Sequence, residues 1–222
     1  MSISILHVDD AVVAVDKPSG MLVHRGWGEE GEVAMLIVRD LLKSWVYPVH
    51  RLDRGTSGVL LFARDPENAR VLGAAFEARE VQKTYRALVR GTPPPTFDVD
   101  QPIPRTEGGP RVPAVTRART LFTRDRYAWV EARPETGRLH QVRRHLKHAT
   151  HPIIGDVNYG KGDHNRHWRG TFGLHRLALH ASVLALAHPV TGQPLVLHAP
   201  VPSDLAGPLA LWGLVDPDLD RA

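Results

Sequence analysis

His50-Arg51-Leu52-Asp53-Arg54-Gly55-Thr56-Ser57-Gly58 runs directly into Val59-Leu60-Leu61-Phe62-Ala63. The second stretch is a short unbroken apolar run and reads as a buried strand. The first is a Gly/Thr/Ser loop that carries an aspartate between two arginines. Neighbouring cations favour an ionised carboxylate, the state a nucleophile or base requires. The same residues suit an Asp that caps a turn and pairs with surface Arg. Spacing alone does not separate the two.

The chain on either side alternates strands with a few helices. Ile3-Ser4-Ile5-Leu6-His7-Val8, a turn at Asp9-Asp10, and Ala11-Val12-Val13-Ala14-Val15 predict a hairpin, which Lys17-Pro18-Ser19-Gly20 breaks into a loop. Ala34, Ile37, Val38, Leu41, Leu42 and Trp45 recur at helical spacing and predict a helix over 33–45. Asp65-Pro66-Glu67 starts another, with Leu72, Ala75, Phe76 and Arg79 along one face. Residues 84–90 alternate and end at Gly91, as a strand does. Pro93-Pro94-Pro95 and 101–113 read as loops, 114–123 and 127–133 as strands, and 139–147 as a helix. A hairpin over 177–187 and 195–198 turns at Thr191-Gly192, and 208–215 closes as a helix or tail. The pattern predicts an α+β protein, one domain over 1–222, with a mixed, mostly antiparallel sheet flanked by helices.

Composition narrows the function. Of 222 residues, 42% are apolar and 23% charged, as in folded proteins, and no apolar run reaches membrane-spanning length. There is no cysteine, which excludes disulfide scaffolds, thiolate metal sites, iron–sulfur clusters and cysteine nucleophiles. The start, MSISILHVDD, lacks the cations of a leader, so a cytoplasmic chain is expected. Net charge is 28 − 24 = +4, yet residues 105–146 hold ten arginines against four acids, 10 − 4 = +6. Basic residues concentrated in one segment direct attention to a polyanionic partner.

The loop around Asp53 resembles the H-R-L-D-x-x-T-S-G motif of the RluA-type pseudouridine synthases at every fixed position. Lys83-Thr84-Tyr85-Arg86-Ala87-Leu88-Val89-Arg90-Gly91 is similar to that family's K-x-Y-x-A-x-V-x-G motif. Gly137-Arg138-Leu139-His140-Gln141-Val142-Arg143-Arg144-His145-Leu146 is similar to its G-R-x-H-Q-[ILV]-R-x-H-L motif. With Lys17-Pro18-Ser19-Gly20 and His151-Pro152-Ile153-Ile154-Gly155-Asp156, the likeness spans about residues 14–200 in order. Leu22-Val23-His24-Arg25, Asn165-Arg166, Phe172-Gly173-Leu174, Arg176-Leu177 and His180-Ala181-Ser182 are more similar to a tRNA-modifying branch than to the ribosomal-RNA enzymes.

The resemblance implies a catalytic domain with a central RNA-binding cleft, no S4-like module before it, and isomerisation of a uridine in structured RNA. Transfer RNA is the expected substrate and ribosomal RNA the alternative, with no membrane or DNA partner and a monomeric enzyme. It implies Asp53 as nucleophile, Tyr85 packed against the uracil, and Arg143 paired with Asp53 to hold it charged. Arg51 would fill the stack vacated by a flipped base, and Leu146 would wall the pocket. Arg54, Thr56, His140 and Gln141 fall in the same motifs as RNA-binding positions. The reaction is redox-neutral and implies no cofactor and no metal.

Three rivals belong to other classes. His140, His145, His148 and His151 suggest a metal site, but they lack the i, i+4 pairing of a zinc helix and an acid beside them. Gly55-Thr56-Ser57-Gly58-Val59 has Val where a serine hydrolase's elbow needs its second Gly. A non-catalytic RNA-binding protein or RNA chaperone with this fold remains the serious alternative; intact Asp53, Tyr85 and Arg143 speak against it.

Overall fold

The computed structural model describes residues 3–24, 31–104 and 108–214; Arg25, Arg105 and Val215 lie outside the described residues. Two compact units form, each with its own core: one holds the chain up to Gln82 together with Ala181–Ala199, the other Lys83–His180 and the chain from Pro200.

In the first unit, β1 (Ser4–Val8) and β2 (Val12–Lys17) make the expected antiparallel hairpin. The Asp9 carboxylate closes its turn by accepting the N–H groups of Ala11 and Val12, at 2.8 and 2.9 Å. β2 pairs antiparallel with β4 (Ser57–Ala63), from Val12↔Ala63 to Lys17↔Gly58. Every residue of β4 is buried, which is why it reads as an unbroken apolar run. β3 (Tyr47–Pro48) also pairs with β4, and β11 (Leu179–Ala187) lies beside β4 and pairs antiparallel with β12 (Pro194–His198). Gly58 has φ +115°, and a Cβ there would lie 2.2 Å from the Ala181 carbonyl oxygen, so only glycine admits this approach. Helices α1 (Ala34–Leu42) and α2 (Pro66–Glu77) complete the unit, with Asp65 capping α2 through the Asn68 N–H. Val12, Leu61, Leu72, Leu184 and Leu197 form the core.

In the second unit, β5 (Gln82–Arg90), β10 (Tyr127–Pro134), β9 (Val115–Arg124) and β6 (Thr96–Asp100) lie in that order, antiparallel throughout. Helices α3 (Gln141–His148), α4 (Gly162–Phe172) and α5 (Ser203–Leu211) accompany them. Leu88, Trp129, Val142, Trp168, Leu205 and Trp212 belong to the core.

Five readings of the sequence change. The stretch 101–113 is not all loop: β7 (Ile103–Pro104) pairs with β8 (Arg111–Val112). β6 follows the three prolines; Thr96-Phe97-Asp98-Val99-Asp100 alternates exposed polar with more buried apolar residues, a strand signal too short to stand out beside them. Helix α4 buries a single residue, Trp168, so it carries no apolar stripe. The last helix begins at Ser203, and Pro208 sits inside it instead of opening it. Arg79 falls past the end of α2, at φ +65°.

Candidate active site

The Asp53 loop is anchored from beneath by the residue that ends β2. Lys17 is fully buried and donates from Nζ to the carbonyls of Pro18, Met21 and Arg54, at 3.0, 2.9 and 3.3 Å. Gly20 N–H donates to the Arg54 carbonyl at 2.8 Å, Arg54 Nε returns a bond to the Gly20 carbonyl at 3.0 Å, and Ser19 Oγ donates to the Gly55 carbonyl at 2.8 Å. Lys17-Pro18-Ser19-Gly20 therefore grips the loop residue by residue. Thr56 N–H bonds the Asp53 carbonyl at 3.0 Å, closing a turn whose first member is the aspartate. Asp53 is half-buried, Arg51 and Arg54 are exposed, and Thr56 is buried. His50 holds the loop's other end, accepting the Leu61 N–H at 3.0 Å and stacking on Phe76.

In the sequence Lys17 has a place in the Lys17-Pro18-Ser19-Gly20 motif but no role, and its signal is a cation closing a strand that opens with four apolar residues. Lys17→Met keeps the stem and removes the donor, stranding buried carbonyls at about 1–3 kcal/mol each. A midpoint lower by several degrees in thermal melting is expected, with slowed single-turnover chemistry as the Asp53 loop loosens. An unchanged melt and rate would contradict this anchoring.

The remaining motif residues gather in the second unit. Tyr85 lies on β5 opposite Ala132 of β10 and packs against the core, and Leu146 is fully buried in that core. His140 sits at φ +54° immediately before α3, with Nδ1 3.0 Å from the Tyr159 hydroxyl. Gln141 is buried and saturated. Its Oε1 accepts from Thr136 Oγ1 and the Arg138 N–H, at 2.6 and 3.0 Å, and its Nε2 donates to the Val115 carbonyl and Thr116 Oγ1, at 2.9 and 3.1 Å. Those four bonds lock the turn into α3 onto β9.

Arg143 is buried and clasped by a carboxylate that the sequence did not single out. Its Nε donates to Asp156 Oδ2 at 2.8 Å and one Nη to Oδ1 at 3.0 Å, a bidentate pair with Asp156 wholly inaccessible. Asp156 also accepts the N–H groups of Asn158 and Tyr159. Burial raises its pKa, but the Arg143 bonds, the backbone donors and the Arg143 charge outweigh that and hold the carboxyl below its ordinary 3.8. Asp156 fixes the plane and direction of the guanidinium.

Three of the four histidines weighed as metal ligands, His140, His145 and His151, have protein partners, and His148 is exposed. His145 is pinned between Thr116 Oγ1 at 2.8 Å and the Gln101 carbonyl at 2.9 Å, and burial pushes it below the usual histidine range. His151 Nδ1 faces the Arg90 carbonyl at 3.2 Å.

The basic segment also looks different once folded. Buried Glu131 on β10 is met by Arg86 from β5, by Arg119 from β9 at 3.4 Å, and by Arg133 at 2.9 Å; Arg117 pairs with Glu135 at 2.6 Å. On this sheet face two carboxylates engage four arginines, so the face keeps 4 − 2 = +2 while its guanidinium groups are tied to the strands.

The fold agrees with comparison to known proteins. A family profile described as RNA pseudouridylate synthase matches residues 11–148, more than half the chain. The chain belongs to the RNA pseudouridylate synthase family, enzymes that isomerise uridine in RNA. Among curated proteins it is 40% identical to tRNA pseudouridine synthase C of Vibrio cholerae, over 95% of this chain and 96% of that protein. It is 45% identical to tRNA pseudouridine synthase C of Pectobacterium carotovorum, over 89% of this chain and 58% of that protein's length. Among solved structures, human RNA pseudouridylate synthase domain containing 4 superposes with a TM-score of 0.80 at 30% identity, covering 96% of this chain and 94% of that one.

Proposed function

We propose that the protein converts a uridine of tRNA to pseudouridine, with Asp53 as the reacting carboxylate and Tyr85 and Arg143 as its catalytic companions. The observation that carries the tRNA reading is the near end-to-end similarity to the Vibrio cholerae tRNA pseudouridine synthase C. The N1–C1′ bond breaks, the base turns, and C5 bonds to C1′; the C5 hydrogen leaves as a proton and N1 regains one. Attack on the base, attack on the sugar, and assisted elimination all call on an ionised carboxylate. No electrons enter or leave, so the isomerisation calls on no redox cofactor. Arg51, exposed two residues before Asp53, suits the gap left by the flipped base. We place the enzyme in the cytoplasm as a monomer that acts on RNA and not on DNA.

The test offers the purified protein unmodified tRNA transcripts and, separately, ribosomal-RNA transcripts, and maps pseudouridine by carbodiimide-dependent primer arrest. One new arrest at a single tRNA uridine is expected. Arrests confined to ribosomal RNA would refute the tRNA assignment.

A further inference from the structure

The positive charge of the second unit extends past the arginine-rich segment 105–146. Residues 138–176 hold eight Lys and Arg against two Asp, 8 − 2 = +6, while the whole chain carries +4. Both of those acids are already engaged, Asp156 by Arg143 and Asp163 by Arg166, and Asp204 from α5 pairs with Arg176, which leaves 6 − 1 = +5. The centre of this charge is a built cluster on one face of α3. His140, Arg144 and Lys147 stand at i, i+4 and i+7, a row about 10 Å long.

Tyr159 gathers that row. Arg144 Nε donates to its hydroxyl at 2.9 Å, and His140 Nδ1 lies 3.0 Å from the same oxygen. The guanidinium carbons of Arg143 and Arg144 and the ammonium of Lys147 lie 5.1, 5.6 and 6.0 Å from the ring centroid. The ring itself is set in place by the Asp156 carboxylate, which holds the Tyr159 N–H at 3.0 Å. Among the described residues, neither Arg144 nor Lys147 is ion-paired with a carboxylate. Lys147 in the last turn suits the helix dipole, but that does not explain a second and third cation crowded onto the same aromatic ring. Cations held close together repel one another, and a polyanion relieves that repulsion.

We propose that Arg144 and Lys147, organised by Tyr159, bind backbone phosphates of the RNA substrate outside the reacting uridine. The inference rests on the reading that the substrate is tRNA. Arg144 and Lys147 are the charge contacts, and Tyr159 is a positioning residue that acts through Arg144. Neither Arg144 nor Lys147 occupies a fixed position of the family motif, so the site belongs to this chain's own RNA footprint.

The experiment titrates fluorescently labelled tRNA transcript with the full protein between about 50 and 200 mM KCl. Arg144→Gln and Lys147→Gln keep most of the stem and remove the charge. Each is expected to flatten the log–log salt slope by up to about one unit, and the double variant by up to about two. The single-turnover rate at saturating protein should stay within about twofold of wild type. Tyr159→Phe keeps every cation, so its slope should persist while affinity falls severalfold. Arg117→Gln, which removes an arginine already paired with Glu135, should leave the slope unchanged. Thermal melts confirm that each variant is folded.

A double variant with the wild-type slope would overturn the proposal, as would an equal loss of slope in Arg117→Gln. If wild-type protein forms no pseudouridine in tRNA, the functional reading fails by itself. The slope comparison still judges the phosphate site.

Discussion

Asp53→Asn is expected to abolish pseudouridine formation, with turnover below about a thousandth of the wild-type rate. Affinity for tRNA should change by less than about twofold, because binding rests chiefly on phosphate contacts. The amide has the shape of the carboxylate but is neither nucleophile nor base. The surrounding loop should survive the change, since its anchors are backbone carbonyls and the side chains of Lys17, Ser19 and Arg54. A melting curve matching wild type would show that the loss is chemical. Residual turnover above that thousandth would remove Asp53 from the nucleophile's role.

The second large effect concerns the buried Arg143–Asp156 pair. Asp156→Ala removes the carboxylate that holds Nε and one Nη of a buried guanidinium, and loosens the backbone turn at Asn158 and Tyr159. Breaking one side of a buried ion pair costs about 3–5 kcal/mol, a lowering of the melting midpoint of roughly 10 °C for a chain of this size. Arg143→Met/Asp156→Leu removes both charges together and should recover most of that stability, measured by urea unfolding. It should not recover turnover, because the guanidinium itself is proposed to serve the reaction. Recovery of both would make Arg143 a purely structural residue.

Acidity should separate the wild type from the double variant as well. The Asp156 carboxyl is held below 3.8 in the folded protein, so its contribution is complete above that pH and is lost as pH falls through the folded value. The wild type should lose stability over that acid range more steeply than the double variant.

The elements legible in the sequence were those whose side chains report their surroundings. β4 is buried along its whole length and reads as an apolar run, and Asp65-Pro66 announces α2 through cap chemistry that the structure reproduces. The Asp53 loop was legible through its motif, and so were Tyr85 and the α3 residues. What stayed hidden depends on partners distant in sequence. Nothing local to Arg143 names Asp156 as its carboxylate, and nothing local to Lys17 shows that it will hold the Arg54 carbonyl, 37 residues on. Arginine counts along 105–146 could not reveal that Glu131 pairs with strand neighbours from β5 and β9, because register decides that. α4 escaped notice for the opposite reason: with only Trp168 buried, it has no periodic stripe to read.

The central claim is that this chain rejoins uracil to ribose through C5 using Asp53, and the hydrogen on C5 reports it directly. Transcribed tRNA carrying tritium at C5 of uridine, folded beforehand and incubated with the full protein, should release tritium to solvent up to one equivalent per tRNA. The Asp53→Asn protein should bind the same tRNA and release none. No release by the wild type, or equal release by both proteins, would contradict the account.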